Sequence, residues 1–133
     1  MSNWTHVAGI IRVDGFRVGS DTKPDWDKLL GKELRYRDGL KKWEEAEDHP
    51  ERFMPLGSEG SLIKTIWANP DKSCVAAYTV SIFGDLRDHD DPDIIIEWFK
   101  DQCSKMFVRQ AAITVNNECN GMRTWAIDDE GEE

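Results

Sequence analysis

The stretch CVAAYTVSIFGDLRDHDDPDIIIEWFKDQCSKMF, residues 74–107, decides the fold because it places a strand, a polar turn and a helix side by side. The run from Cys74 to Phe83 is largely apolar and rich in β-branched and aromatic residues, so it predicts a strand that stops at Gly84. Asp91 is suited to cap a helix and Pro92 to occupy its first position. The segment therefore predicts a strand followed, across an acidic turn, by a helix.

The predicted helix has one apolar side. Its large apolar residues recur at spacings of three and four, the period of a helix that packs one face against a core. We expect this stripe to lie against the sheet. Its residues are Ile95, Trp98, Phe99, Cys103 and Met106.

Four more segments have the character of strands. Trp4 to Val13 is apolar on both faces, which favours a central position in the sheet. Leu62 to Ala68 precedes a turn sequence, Asn69 to Lys72, that leads into the strand described above. Asn120-Gly121 is a strong hairpin signal between the last two predicted strands. These two strands are Val108 to Val115 and Met122 to Ile127.

The segment between residues 15 and 55 is polar and irregular, with short helices predicted at Pro24 to Leu30 and Leu40 to Glu47. The order of elements predicts an α+β domain over residues 1–127. Its expected architecture is a ferredoxin-like split βαβ sandwich with a mainly antiparallel sheet and an additional C-terminal edge strand. Residues 128–133 (DDEGEE) form an acidic tail that we expect to be disordered.

The composition limits the classes of partner. The 133 residues carry a formal net charge of −9 and a pI near 4.8, which disfavours binding to nucleic acid or to an anionic membrane surface. The three cysteines lack the spacing of disulfide or metal motifs, and no apolar run approaches the length of a membrane span. We therefore expect a cytoplasmic protein that binds neither nucleic acid nor membrane.

The acidic turn GDLRDHDDPD gathers ionisable residues at one end of the predicted sheet. Carboxylates beside a histidine are ligand types that a hard divalent ion accepts, but the alternating ligands of a calcium loop are absent. We interpret the turn as a solvated helix cap, predict no metal, and keep it as an alternative contact surface for a protein partner. The residues of that surface are Asp85, Arg87, Asp88, Asp90 and Asp91.

A glycine-serine turn and several aromatic and arginine residues favour a pocket for an anion. The turn GSEGS, residues 57–61, offers backbone amides and hydroxyls, although it lacks the lysine of a nucleotide-triphosphatase loop. Tryptophan can stack on a base and arginine can bind phosphate. The candidate ligand-binding residues are Trp4, Arg12, Ser58, Gly60, Ser61, Trp67, Arg109, Arg123 and Trp125.

The sequence contains no specific catalytic signature. The histidines His6, His49 and His89 are scattered, and neither a GxSxG motif nor a cysteine-protease context occurs. We predict no catalytic residue and no cofactor, and we expect a binding protein rather than an enzyme.

Four segments together resemble small, soluble proteins encoded by gut-type bacteriophages. They are NWTHVAGIIRVD (3–14), GSEGSL (57–62), YTVSIFGDLRD (78–88) and DPDIIIEWFK (91–100). The resemblance covers most of the chain outside residues 19–55 and the tail. It implies a non-structural phage product made inside a bacterium, and products of this kind often counter host defences.

Three functions are open from the sequence. The first is a non-catalytic protein that counters host defence by sequestering a small anionic, nucleotide-type immune signal. The alternative is an acidic inhibitor that mimics nucleic acid and binds a host defence protein, and the third is a small phosphodiesterase-like enzyme. In the first case we expect a homo-oligomer, because an exposed edge strand invites pairing and an interface deepens a pocket.

Overall fold

A computed structural model describes residues 3–16, 25–34, 39–68, 78–89, 91–128 and 131–132. These residues form an α+β structure in which helices pack against an open antiparallel sheet. The strands are β1 (Trp4–Phe16), β2 (Ile63–Ala68), β3 (Tyr78–Arg87), β4 (Met106–Asn117), β5 (Gly121–Asp128) and β6 (Gly131–Glu132). The helices are α1 (Trp26–Leu30), α2 (Leu40–Asp48) and α3 (Pro92–Cys103), and a 3-10 turn (Pro50–Arg52) follows α2.

The strands lie in the order β2-β3-β1-β4-β5-β6, and every neighbouring pair is antiparallel. β1 lies between β3 and β4, in the central position that its two apolar faces predict. The predicted hairpin at Asn120-Gly121 is confirmed, because β4 and β5 pair from Asn117 and Gly121 onward.

The hydrophobic core lies between the sheet and the helices. Alternate residues of β1, β3 and β4 point into it, and α3 packs over β4 and β5. α1 reaches the same core through Leu30, and Trp26 makes an edge-to-face contact with Tyr78 at 5.3 Å. The buried strand residues include Val7, Ile11, Val13, Val80, Ile82, Leu86, Ala111, Ile113 and Val115.

α3 begins where the sequence predicts. The Asp91 carboxylate accepts a hydrogen bond from the Asp93 amide at 2.9 Å, which satisfies one of the free donors of the first turn. Pro92 follows the cap, where its missing amide hydrogen removes no helical hydrogen bond.

The buried face of α3 differs in part from the predicted stripe. Trp98 is only partly buried against the core, and Met106 is buried but belongs to β4. Ile96 and Gln102 are buried although the stripe omits them, because the helix contacts two strands and therefore buries a wider face. The confirmed members are Ile95, Phe99 and Cys103.

β3 extends beyond the predicted end of the strand. It does not stop at Gly84 but continues to Arg87. Gly84 marks a close approach instead, since a Cβ at this position would lie 2.8 Å from the carbonyl oxygen of Ser61. Residues 74–77, where the predicted strand begins, and the predicted turn at residues 69–72 lie outside the described residues.

The described part of residues 15–55 contains the two short helices that the sequence predicts and a small second core. α1 begins after Asp25, whose carboxylate accepts a hydrogen bond from the Lys28 amide at 3.2 Å; Pro24 lies outside the described residues. The second core packs the end of α2 against the segments on either side of it. Its buried residues are Leu34, Ala46 and Phe53.

The described part of the acidic tail is placed at the edge of the sheet. β6 pairs Gly131 with Asp128 and Glu132 with Ile127, in a segment that we expect to be disordered. The additional C-terminal strand that the sequence predicts is β5, which therefore has β4 on one side and this two-residue strand on the other.

Candidate binding surface on the open sheet face

The sheet face opposite the core is exposed along its central strands, and we call it the open face. Ile10 of β1, Phe83 of β3 and Trp67 of β2 are 42%, 45% and 52% exposed there. Apolar side chains of this size are rarely grouped on the surface of a protein without a binding role. The open face is therefore the first candidate for a functional surface.

The pairing register aligns the outward residues of the open face in rows that cross the strands, and four consecutive rows lie next to the Trp4–Arg87 pair. One end row, which we call the arginine row, contains Trp67, Thr79, Arg12 and Gln110. The other end row, the acidic row, contains Asp85, His6 and Asn116. Between them lie the row Ser81, Ile10 and Ala112 and the row Phe83, Ala8 and Thr114.

The arginine row combines an exposed indole with a cation. Trp67 and Arg12 both pair with Thr79, so two strand spacings, roughly 10 Å, separate them across the sheet. Arg12 Nη1 donates a hydrogen bond to Gln110 Oε1 at 3.3 Å and forms no ion pair among the described residues. The row therefore offers an aromatic surface and a guanidinium that forms no ion pair with a described carboxylate.

Two shallow depressions on the open face adjoin this row. The first, about 430 Å³, is lined by Ala8, Ile10, Ser81, Phe83, Ala112 and Thr114 together with parts of β1, β3 and β4. The second, about 370 Å³, is lined by Ile10, Arg12, Gln110, Ala112, Ala126 and Asp128 with their neighbours. Both are mainly apolar and share Ile10 and Ala112, so they form one continuous surface that leads to Arg12.

The other predicted ligand arginines are already neutralised. Arg109 Nε lies 3.0 Å from Asp14 Oδ1, at a bulge where β1 and β4 shift register. Arg123 Nε lies 3.3 Å from Asp93 Oδ1. The sequence places these residues in one pocket with Arg12, but the structure separates them, because β5 directs Arg123 towards the helix side of the sheet.

The predicted tryptophans are divided between the two faces. Trp67 lies on the open face, whereas Trp125 packs edge-to-face on Phe99 at 5.8 Å, with Lys100 Nζ 5.6 Å from the Trp125 ring centre. Trp4 pairs with Arg87 at the acidic end of β1. Only Trp67 and Arg12 of the nine predicted ligand residues therefore share a row.

The GSEGS turn uses its polar groups within the fold. The Ser58 amide donates to the Arg87 carbonyl at 2.8 Å, and the Ser58 hydroxyl donates to Asp88 Oδ2 at 3.0 Å. Ser61 is buried, and its hydroxyl accepts the Leu34 amide at 3.1 Å. Gly60 has a φ of +78°, and a Cβ there would lie 2.2 Å from the Asp85 carbonyl oxygen. These contacts hold the turn against the end of β3 and occupy the Ser58 amide and hydroxyl, two groups that an anion would need.

The acidic turn is likewise engaged in local contacts. Arg87 Nη1 contacts Glu59 Oε1 at 2.9 Å, and Asp88 accepts hydrogen bonds from Ser58 and from the Asn3 amide. Asp91 caps α3 as described, and Asp90 lies outside the described residues. Among the described residues of the predicted contact surface, Asp85 is the one whose carboxylate lies on the outward face of a strand.

His6 joins Asp85 to a third residue that the sequence did not indicate. Its Nδ1 lies 2.6 Å from Asp85 Oδ1 and its Nε2 lies 3.3 Å from Glu118 Oε2. The hydrogen bond to Asp85 and then the one to Glu118 raise the pKa of His6 above its ordinary value, because both favour the imidazolium. No sequence signal could have found this group, since residues 79 and 112 positions away supply the carboxylates.

Neither a metal-binding cluster nor a reactive buried thiol is present among the described residues. Among them, no group of three or more histidine, cysteine, aspartate or glutamate side chains is arranged to hold a metal ion. Burial raises the pKa of the Cys103 thiol to about 12, so this thiol is a poor nucleophile at neutral pH. No helix in the described segments is long and apolar enough to cross a membrane.

Comparisons with known proteins return no match: no protein-family model, no curated protein and no solved structure is similar to this chain at a significant level.

Proposed function

We propose that this chain is a non-catalytic binding protein that captures a small anionic, nucleotide-type ligand on its open face. The observation that carries the proposal is the arginine row, in which an exposed Trp67 and an Arg12 without a carboxylate partner among the described residues lie roughly 10 Å apart. A planar base stacks on an indole, and a guanidinium binds phosphate through two parallel hydrogen bonds.

The dimensions of the row suit such a ligand. A nucleotide extends from its base through a sugar to its phosphates, and the row presents aromatic, hydroxyl and cationic groups in that order, namely Trp67, Thr79 and Arg12. Gln110, which orients the guanidinium, adds an amide beside it. The apolar depressions next to the row give the sugar and base a surface from which water is displaced.

The proposal also concerns the type of fold and the cell in which the protein acts. The order β2-β3-β1-β4, with α3 connecting β3 to β4, supports a ferredoxin-like split βαβ arrangement that β5 extends. The resemblance to phage-encoded proteins supports a role in the cytoplasm of a bacterial host, where sequestering a nucleotide signal would counter a defence response.

A second candidate is an acidic inhibitor of a host defence protein. The observation that favours it is the net charge of −9, together with the ion pairs that Arg87, Arg109 and Arg123 each form with a carboxylate of the same chain. Asp85 and Glu118 at the acidic end would then contact a basic partner.

Calorimetric titration with a cyclic dinucleotide and with ADP-ribose tests the ligand proposal. We expect Arg12→Ala to weaken binding about 10-fold to 100-fold, since a hydrogen bond to a charged group contributes about 1.5–3 kcal/mol. Trp67→Ala should weaken it about 5-fold to 100-fold, the range for loss of one stacked base. Arg123→Ala removes the same charge from the helix side and serves as the matched control, with unchanged affinity.

Three results would oppose the proposal. Binding that survives the double variant Arg12→Ala/Trp67→Ala removes the arginine row as the site. Loss of binding in Arg123→Ala would show that the ligand binds on the helix side of the sheet. A probe recovered chemically altered from the denatured protein shows catalysis and supports the phosphodiesterase-like alternative.

A further inference from the structure

The open face is complementary to itself, and we propose that a second copy of this chain stacks on it. The two copies are related by a two-fold axis that lies between the sheets, parallel to them and perpendicular to the strands. The axis passes near Gly9, midway between His6 and Arg12 along β1. In this arrangement the arginine row of each copy lies over the acidic row of the other. The inference goes beyond ligand capture and does not depend on it.

Charge complementarity favours this partner. The acidic row contains Asp85 and His6, and Glu118 contacts the other side of the His6 ring, so the net charge of these three side chains is negative whether or not His6 is protonated. Arg12, at the opposite end of the same strand, forms no ion pair within the described part of its own chain. The two-fold axis brings each Arg12 over His6 of the second copy, where the carboxylates of Asp85 and Glu118 flank the imidazole, so one surface supplies both halves of two identical contacts.

Side-chain sizes are complementary in the two middle rows, which the same axis exchanges. Phe83 of one copy then lies over Ser81 of the other, and Ile10 lies over Ala8. In β4, Thr114 lies over Ala112. Each large side chain therefore meets a small one, which permits interdigitation at the sheet spacing of about 10 Å.

A two-fold axis parallel to the strands does not have these properties. If it passes along β1, it brings Arg12 over Arg12, Ile10 over Ile10 and Ala8 over Ala8. Like charges then face each other, and two bulky side chains compete for the same space while small ones leave a gap. The pairing register therefore favours the axis perpendicular to the strands, about which the strands of the two copies run antiparallel. We call this arrangement the antiparallel stack.

The edge of the sheet at β2 is less suited to pairing. The Lys64 amide donates to Glu33 Oε1 at 2.8 Å, so a side chain already occupies a donor that a pairing strand would need. The Lys64 ammonium donates hydrogen bonds to Asp27 at 2.7 Å and to the Gly31 carbonyl at 2.8 Å. These bonds keep α1 and the residues that follow it over the edge of β2. The structure therefore directs self-association to the face rather than to β2.

Charge-swapped variants test the interface in the absence of ligand. Sedimentation velocity and native mass spectrometry should show a dimer for the unmodified chain. Arg12→Glu alone and Asp85→Lys/Glu118→Gln alone should each dissociate about tenfold or more readily, because each places like charges together at both contacts. An equimolar mixture should form a heterodimer, since both contacts are then between opposite charges.

Controls separate this interface from others and from loss of folding. Arg123→Glu makes the same charge reversal on the helix side and should leave the dimer intact. Ala112→Glu introduces a charge at the exposed centre of the open face, where the fold does not depend on the side chain, and should abolish the dimer. Circular dichroism verifies that every variant is folded.

Several outcomes would overturn the inference. One is an unmodified chain that stays monomeric at about 100 µM, where even weak specific interfaces are populated. Another is a dimer that persists in both Arg12→Glu and Ala112→Glu, which would assign another surface. A mixture of the two folded charge-swapped variants that fails to associate would reject the antiparallel stack.

The two proposals share Arg12, which links them without making one depend on the other. A ligand phosphate and the acidic row of a second copy compete for the same guanidinium, so cyclic dinucleotide or ADP-ribose should shift the dimer towards monomer. A dimer that forms normally while neither probe binds would reject only ligand capture. Binding of a probe to a strictly monomeric chain would reject only the stack.

Discussion

At the scale of single residues, the position of His6 shows how the tertiary structure changes the role of a side chain. The sequence predicts only that His6 lies in the first strand and assigns it no catalytic role. The structure places it between two carboxylates from β3 and from the turn after β4, so that it ties together the ends of three strands. Its side chain is 44% exposed, so solvent weakens both interactions.

The raised pKa of His6 predicts a pH-dependent contribution to stability. Because the folded pKa exceeds the unfolded value near 6.5, the contribution is fully present below that value and is lost as pH rises through the folded pKa. Urea unfolding of the unmodified chain and of His6→Gln should therefore differ more at about pH 6 than at about pH 9. We expect a change of less than about 1 kcal/mol, as for other exposed ion pairs. A difference that grows towards pH 9 would contradict this assignment.

At the scale of elements, α3 shows which part of a helix the sequence can predict. Its start depends on Asp91 and Pro92, which are adjacent in the chain, and the prediction is confirmed. Its buried face depends on the angle at which it crosses β4 and β5. That angle turns Ile96 and Gln102 inward and leaves Trp98 at the margin, which no periodicity alone can specify.

Substitutions in α3 test this orientation. Phe99 is fully buried beneath Trp125, so Phe99→Ala should lower the free energy of unfolding by about 3–5 kcal/mol through lost contacts and a cavity. Ile94 is 57% exposed on the opposite side, and Ile94→Ala should change stability by less than about 0.5 kcal/mol. Trp98→Ala should fall between the two. Guanidinium unfolding measures all three, and equal losses at positions 94 and 99 would show a rotated helix.

At the scale of the whole molecule, the central strand is formed by the first described segment of the chain. β1 pairs with β3 and β4, which come from segments more than 60 residues later in the sequence. The sheet is therefore incomplete until β4 has joined it, and most of the core depends on contacts between distant parts of the chain.

Truncation tests this dependence. A chain that ends at Cys103 lacks β4 and β5, leaves β1 with an unpaired edge and exposes the underside of α3, so we expect no cooperative thermal unfolding. A chain that ends at Asp128 loses β6 and the rest of the acidic tail. The midpoint temperature of its thermal unfolding should change by only a few degrees, equivalent to roughly 1 kcal/mol or less in the free energy of unfolding. Cooperative unfolding of the shorter chain would show that β1 and β3 form an independent unit.

The sequence alone determined the features that depend on neighbouring residues. The Asp91 cap, the Asn120-Gly121 hairpin and the apolar alternation of β1 each act over a few positions, and together they specify an α+β chain with an antiparallel sheet. Only the tertiary structure decided that Trp67 and Arg12 share a row, that Arg123 faces the helices, and that the Ser58 amide is already bonded. These outcomes depend on the register between strands distant in the chain, and a shift of one residue would move every such side chain to the opposite face.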